Sequence, residues 1–407
     1  MDPTPPSPSD SKRSAYLVLG MHRSGTSAVT QLLGLAGADL PAGVMPGDEH
    51  NQKGYFEPWR IALFNDERLR AAGGAWDDVF GFPFRPLPRR EERKWLTRGE
   101  ALFEAEYGEA RYPLLKDPRV TVLMPFWRTL FEDMGLAARV VIPVRHPLAV
   151  AGSLARRDGF PPQKSVLLWT SYMLAAEAYT RDLPRVFVDY DSLLGDWRAE
   201  VARIEAAHGA ALPKLTDKAG KAIDRFLTPE LRHNAGEGDL HDLGWAGELA
   251  HIVFEELAAA AADRPANGGA LEMAAEMLER RRQEVGALVS PAARDLDATR
   301  LALRETRASL EYKLRERQAE TKVQLKAAEA RFKAERAELN AQFEHERRHA
   351  EEQRAELEAQ IAQLKTDAAR IRADWKRDVE VRERELKVFY DAIAEAEARL
   401  DAALAEP

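Results

Sequence analysis

The stretch AYLVLGMHRSGTSAVTQLLG, residues 15–34, constrains the fold of this 407-residue chain more than any other. It begins with an apolar run at 16–19 that is typical of a buried strand. A turn bounded by Gly20 and Gly25 follows, and apolar residues then recur at helical spacing over 28–33. This order predicts an anion site, because a glycine-rich turn and the first turn of a helix both present unpaired backbone N–H groups.

The glycines of this turn have the spacing of a Walker A nucleotide loop, but Thr26 stands where the lysine should follow. Arg23, inside the turn, supplies a positive charge instead. The strand predicted at 139–144 ends in Arg145 rather than in a Walker B aspartate, and Asp189, after a later strand, is an alternative acid. We therefore expect an anion-binding turn without the usual magnesium–nucleotide site.

The composition limits the classes of function. The chain has no cysteine, which excludes disulfides, thiolate metal ligands and cysteine nucleophiles. No apolar run reaches the roughly 18 residues of a transmembrane helix, so we expect no membrane-spanning segment. Residues 1–13 are polar and proline-rich, which predicts a disordered leader rather than a signal peptide and hence a cytoplasmic protein. The net charge of −8 disfavours a general nucleic-acid binder.

Residues 14–234 have the pattern of one α/β domain. Strand-like runs alternate with helical patterns, the runs at 16–19, 112–115, 139–144 and 185–188 and the helices at 60–69, 120–131, 148–156 and 165–179. This alternation predicts a three-layer parallel sheet, in which ligands bind beyond the carboxyl ends of the strands. The segments 20–27, 116–119 and 145–153 each follow a predicted strand, so we expect them to form one site.

Two helical regions follow the predicted domain. Residues 235–294 combine a glycine-marked loop with alanine-rich helical stretches, which we interpret as an appendage or linker. Residues 295–405 contain no glycine and are mostly Ala, Glu, Arg, Lys, Leu and Gln, the composition of a long helix. Apolar residues recur in seven-residue steps at Leu296, Leu303, Leu310, then Leu325, Phe332, Leu339, then Leu357, Leu364, Ile371. The steps favour a coiled coil that forms a homodimer or binds a partner protein; an isolated charged helix is the alternative.

Two of these segments together resemble the P-loop sulfotransferase superfamily, whose members use 3′-phosphoadenosine 5′-phosphosulfate (PAPS). In that superfamily the first turn reads (K/R)-S-G-T-(T/S) and binds the 5′-phosphosulfate; the matching residues here are Arg23, Ser24, Gly25, Thr26 and Ser27. A second motif, an arginine at a strand end and a serine eight residues on, binds the 3′-phosphate, and Arg145 and Ser153 fit it. The forms GMHRSGTS and NQKGYFE are most similar to bacterial members that act on glycans or other hydroxyl acceptors. The resemblance covers about residues 14–234.

The resemblance also implies catalytic roles. Lys116 opens a Lys-Asp-Pro sequence that is similar to one in tyrosylprotein sulfotransferases, where the lysine assists at the transferred group. With Arg23 it would meet the negative charge that grows on the leaving phosphate, so no metal is obligatory. Family members keep a glutamate after the first helix. Glu57 is our first choice of general base, and Glu49 and His50 are its rivals.

Other interpretations remain open from the sequence. The chain could be a magnesium-nucleotide kinase of an unusual P-loop type, or a catalytically silent scaffold that acts through its coil. The acceptor could be a glycan, a lipid-linked sugar, a peptide tyrosine or a small metabolite. Acceptor specificity is expected in residues 71–110, where glycines, prolines and aromatic residues predict an irregular cap.

Overall fold

The computed structural model describes residues 13–45, 47, 54–228, 236, 238–335 and 343–404. A four-stranded parallel sheet lies at the centre, with the order β2-β1-β3-β4; its strands are β1 (Ser14–Val18), β2 (Leu114–Leu115), β3 (Ala137–Val144) and β4 (Arg185–Asp189). Each apolar run predicted as a strand contributes one, so the predicted parallel α/β sheet is confirmed. Strand β1 has β2 on one side and β3 on the other, so the strand order reverses at β1. Ligands of such sheets bind beyond the carboxyl ends of the strands at this point.

Helices cover both faces of the sheet. Their bounds are α1 (Thr26–Leu35), α2 (Trp59–Ala71), α3 (Arg89–Tyr107), α4 (Pro118–Val122), α5 (Met124–Asp133), α6 (Pro147–Asp158), α7 (Pro162–Ala178), α8 (Tyr190–Gly195), α9 (Trp197–His208), α10 (Asp217–Phe226) and α11 (Trp245–Ala261). The pattern at 120–131, predicted as one helix, is divided between α4 and α5 at Leu123. Pro125 lacks the N–H that would continue the hydrogen bonding of α4, which explains the break.

Alternation along the strands sends neighbouring residues to opposite faces of the sheet. Leu17 and Val140 join a cluster with Trp169 on one face, while Val18 and Val141 join a second cluster on the other face. All five side chains are fully buried. Burial of an aliphatic side chain contributes about 1.5–3 kcal/mol to stability. Since both faces of the sheet are buried, successive residues of a strand are all apolar, which explains the continuous apolar runs in the sequence.

The chain continues into two long helices, α12 (Gly268–Glu335) and α13 (Phe343–Leu404), which confirms the prediction of a long helix at the C-terminus. The structure divides into two compact units, Met1–Glu305 and Thr306–Pro407. The predicted domain boundaries after residues 13, 234 and 294 remain predictions, and Leu339 lies outside the described residues. No helix in the described part of the chain is long and apolar enough to cross a membrane.

Candidate anion-binding and catalytic site

The turn between β1 and α1 depends on left-handed backbone conformations. Gly20 has φ of +136°, Gly25 has φ of +93°, and Arg23 adopts φ of +69° although it is not a glycine. Gly25 is the N-cap of α1 and has no side chain to bond the first N–H groups of the helix. This geometry suits an anionic ligand, because the N-terminus of a helix carries partial positive charge.

A buried serine hydroxyl in this turn fits a ligand oxygen. Ser24 is fully buried, and its Oγ has no hydrogen-bond partner among the residues that the structure describes. The same holds for Nε2 of His22, which is also buried. Buried polar atoms are hydrogen-bonded in the great majority of proteins. The unpaired Ser24 hydroxyl therefore supports the prediction that an oxygen-bearing anion completes the turn.

Arginine side chains from two strand ends meet at the turn. The Nε of Arg23 donates a hydrogen bond to Oγ of Ser153 in α6, at 2.7 Å. Arg145, which follows β3, donates from Nη1 to the backbone oxygen of Arg23 at 3.0 Å. The Arg145 guanidinium lies 4.7 Å from the ring centre of Tyr190. Three separate segments of the chain thus bring two arginines and a serine together.

The turn lies in a region of surplus positive charge. Burial lowers the pKa of Arg23, and Arg157 and Arg145 lower it further. Burial also lowers the pKa of His22 well below its usual value, with Arg157 the largest of several cationic contributions, so this imidazole is neutral. The arginines nonetheless stay protonated at neutral pH. Cations that repel one another across a buried turn are stabilised when an anion binds between them.

Lys116, immediately after β2, joins the first turn of α1 to the candidate general base. Its Nζ donates to Oε1 of Glu57 at 2.5 Å, to the backbone oxygen of Tyr55 at 3.0 Å and to Oγ of Ser27 at 3.4 Å. Lys116 is only 2% exposed and Glu57 only 4%. Such an ion pair fixes both side chains, because removal of either partner would leave a buried charge without compensation.

A second group of polar residues fixes the backbone immediately after Lys116. Its neighbour Asp117 caps α4 and accepts hydrogen bonds from Nδ2 of Asn65, at 2.6 Å, and from Nη1 of Arg119, at 2.7 Å. Nε of Arg119 also donates to Asp66 at 2.5 Å. Sequence reasoning missed Asn65 and Asp66, which lie in the middle of an ordinary helical pattern in α2.

The structure brings the predicted site residues into two adjoining groups. Arg145 and Ser153 each contact Arg23, and Lys116 contacts both Ser27 and Glu57. The predicted phosphate-binding pair therefore meets through Arg23. The rival bases, Glu49 and His50, lie outside the described residues. The roles assigned to all these residues remain predictions.

No protein-family model matches the chain, and no curated protein matches it. Three similar solved structures are sulfotransferases. The sulfotransferase domain of a Synechococcus olefin synthase is 15% identical over 60% of this chain and 95% of its own, with a TM-score of 0.37. A Mycobacterium tuberculosis sulfotransferase is 15% identical over 60% of this chain and 77% of its own, with a TM-score of 0.34. A sulfotransferase domain of the curacin biosynthetic pathway is 12% identical over 51% of this chain and 76% of its own, with a TM-score of 0.32.

Proposed function

We propose that the chain is a PAPS-dependent sulfotransferase that transfers the sulfuryl group to a hydroxyl acceptor, a glycan or another cell-surface precursor. The observation that carries this proposal is the buried turn, in which the Ser24 hydroxyl has no partner among the described residues and Arg23 stands in place of the Walker A lysine. A single phosphosulfate can be held by fixed N–H and guanidinium donors, whereas a triphosphate is normally bound with magnesium.

Each residue of the site has a role in this reaction. Bound PAPS would supply an activated sulfuryl group on a phosphate that leaves with increasing negative charge. The turn, residues 23–27, would hold the 5′-phosphosulfate, and Arg145 with Ser153 would hold the 3′-phosphate. Lys116 and Arg23 would stabilise the charge that develops in the transition state, the kind of interaction that lowers a barrier most.

Glu57 would accept the proton of the acceptor hydroxyl. Its carboxylate already accepts a hydrogen bond from Lys116, which fixes the orientation of the base toward the turn. The lysine therefore contacts the base and, through Ser27, the first turn of α1. This arrangement supports proton removal and charge stabilisation at neighbouring points, as in-line transfer requires.

The aspartate that could bind magnesium in a kinase caps a helix in this structure. Asp189, the possible Walker B residue, is the N-cap of α8, and its Oδ1 accepts a hydrogen bond from the backbone N–H of Ser192 at 2.7 Å. A carboxylate engaged in helix capping is a poor candidate for holding magnesium. This favours the sulfotransferase over the kinase.

The donor can be tested by calorimetry. We expect 3′,5′-adenosine bisphosphate to bind at least about tenfold more tightly than ATP with magnesium. Arg145→Gln should weaken the bisphosphate about 10- to 100-fold, because a hydrogen bond to a charged group is worth about 1.5–3 kcal/mol. Adenosine 5′-phosphate, which lacks the 3′-phosphate, is the control ligand and should bind the variant and the wild-type chain equally. Tighter binding of ATP with magnesium would overturn the proposal.

We further propose that the unit Thr306–Pro407 pairs with a second copy of the chain. Leu357, Ile361, Leu364 and Ile371 follow coiled-coil spacing in α13, and each is 36–48% exposed. Asp367 and Arg372, five residues apart, flank this seam at positions that meet across a parallel two-stranded coil. Their opposite charges would attract between copies, which favours a parallel homodimer over an unrelated partner.

Sedimentation measures this association directly. The wild-type chain should sediment as a dimer at micromolar concentration. The double variant Leu364→Glu/Ile371→Glu should sediment as a monomer, because four glutamates would then face one another in the seam. Gln363→Glu is the control. It adds the same charge on the outer face of the coil, away from the seam, and should leave the dimer intact. A monomeric wild-type chain would contradict the homodimer.

A further inference from the structure

One face of α12 is packed although the helix begins beyond the predicted sulfotransferase domain. Val289, Ala293, Asp297 and Arg300 recur at four-, four- and three-residue steps and so lie along one side of the helix. The first three are buried, with 6–8% of their surface exposed. This stretch belongs to the same compact unit, Met1–Glu305, as the candidate site.

Polar contacts attach this face to the segment 70–78, which begins at the end of α2. The contacts are Ser290 Oγ to Asp78 Oδ1 at 3.0 Å, Arg70 Nη1 to Asp297 Oδ2 at 3.0 Å, and Arg300 Nη1 to Asp77 Oδ2 at 2.9 Å. The segment forms the start of the predicted acceptor cap. Ion pairs that connect residues more than 200 positions apart fix the cap to the long helix.

Asp77 is the central residue of these contacts. It is fully buried, and its Oδ2 accepts from Lys164 at 2.8 Å as well as from Arg300. Burial alone would raise the pKa of Asp77, but the charges of Lys164 and Arg300 outweigh it and the pKa is lowered. A buried carboxylate of this kind needs its cations, since loss of one leaves much of the desolvation cost uncompensated.

Trp76, next to Asp77, contacts the anion-binding turn. Its ring meets the His22 ring edge-on at 4.8 Å between centroids, and the Arg157 guanidinium lies 5.5 Å from the indole. On the opposite side of the network, Phe160 stacks on Trp76 at 5.8 Å, and Arg300 lies 5.3 Å from the Phe160 ring. Contacts thus run without a gap from Arg300 to His22 in the turn and to Arg157, whose charge acts on Arg23.

We infer that Arg300 is a positioning residue of the candidate site, which acts through Asp77 and Trp76 on the anion-binding turn. The inference rests on the proposed function and extends the catalytic unit to residue 300, well past residue 234. The C-terminal helices then have two separate tasks, since residues 289–300 of α12 support the site and α13 provides the proposed dimer seam.

The test compares arginines one turn apart on the same helix. Arg300→Gln should weaken binding of 3′,5′-adenosine bisphosphate about tenfold, whereas Arg304→Gln, at an exposed position, should leave it unchanged. Arg300→Lys keeps the charge and should recover most of the affinity. In an Asp77→Asn background, Arg300→Gln should have an effect of less than about twofold, because the residue through which Arg300 acts is already altered.

A ligand-free measurement keeps this inference separate from the proposed function. The imidazole NMR signals of His22 should shift in Arg300→Gln and remain unchanged in Arg304→Gln, because the Trp76 ring lies against His22. If the wild-type chain does not bind the bisphosphate, the proposed function is wrong. If the wild-type chain binds it while Arg300→Gln and Arg304→Gln give the same affinity and the same His22 signals, the role of Arg300 is excluded.

Discussion

Lys116→Met is expected to reduce sulfuryl transfer from PAPS by about 100- to 1,000-fold, while the affinity for 3′,5′-adenosine bisphosphate changes by less than about threefold. Methionine keeps the length and apolar stem of lysine but removes the charge. Because that charge is proposed to act on the transferred sulfuryl group, which the bisphosphate lacks, its loss raises the barrier without weakening the bound product. The measurement is transfer of labelled sulfate from PAPS to acceptors in a lysate of the producing cell, alongside calorimetry with the bisphosphate.

The same substitution leaves Glu57 buried without its cation, so stability must be measured too. Removal of one partner from a buried pair destabilises a protein by about 3–5 kcal/mol. The double variant Lys116→Met/Glu57→Gln removes both charges at nearly constant shape and should regain most of the lost stability. It should regain no transfer, since it lacks both the cation and the proposed base. Substantial transfer by the double variant would exclude both residues from the chemistry.

The strands were predictable because the sheet is buried on both faces. An apolar run such as 139–144 has few ways to avoid water except as a central strand, and it forms most of β3. Element boundaries were less predictable. The run at 112–115 yields only the two residues of β2, since Tyr112 bonds from its backbone N–H to the Asp39 carboxylate instead of a neighbouring strand.

The composition of the candidate site could be predicted only where a motif is local. Residues 23–27 are consecutive, so one turn of the backbone brings them together. The hydrogen bond from Arg23 to Ser153 spans 130 positions, and nothing in the spacing of the motif at 145–153 indicates that its serine meets Arg23 rather than Arg145. Pairings of this kind are decided by how the sheet orders its strands.

The packed face of α12 was missed for a different reason. Hydrophobic periodicity singled out Leu296 and Leu303, which are only partly buried. The residues that attach the helix to the cap include Asp297 and Arg300, which a hydrophobic pattern treats as solvent-exposed. Buried ion pairs lack a periodic signature because each depends on a partner far away in the sequence.

Gly25→Ala is expected to weaken binding of 3′,5′-adenosine bisphosphate by more than about 100-fold. Gly25 has φ of +93°, which alanine adopts only at a cost of about 1–2 kcal/mol. An added Cβ would also overlap the Tyr190 ring, on which the Arg145 guanidinium lies. The substitution therefore distorts the N-terminus of α1 and displaces the arginine proposed for the 3′-phosphate, so two binding contacts are lost together.

Calorimetry and thermal unfolding distinguish this local effect from a general loss of structure. Gly34→Ala is the matched control, because Gly34 lies in the same helix and its added Cβ would make only close contact with Leu40, at 3.4 Å. It should bind the bisphosphate like the wild-type chain. Gly25→Ala/Tyr190→Ala removes the overlap but not the strained φ, so its affinity should lie between those of Gly25→Ala and the wild-type chain. If Gly25→Ala binds normally, the turn is not the phosphate site, and the proposed sulfotransferase mechanism loses the feature on which it depends.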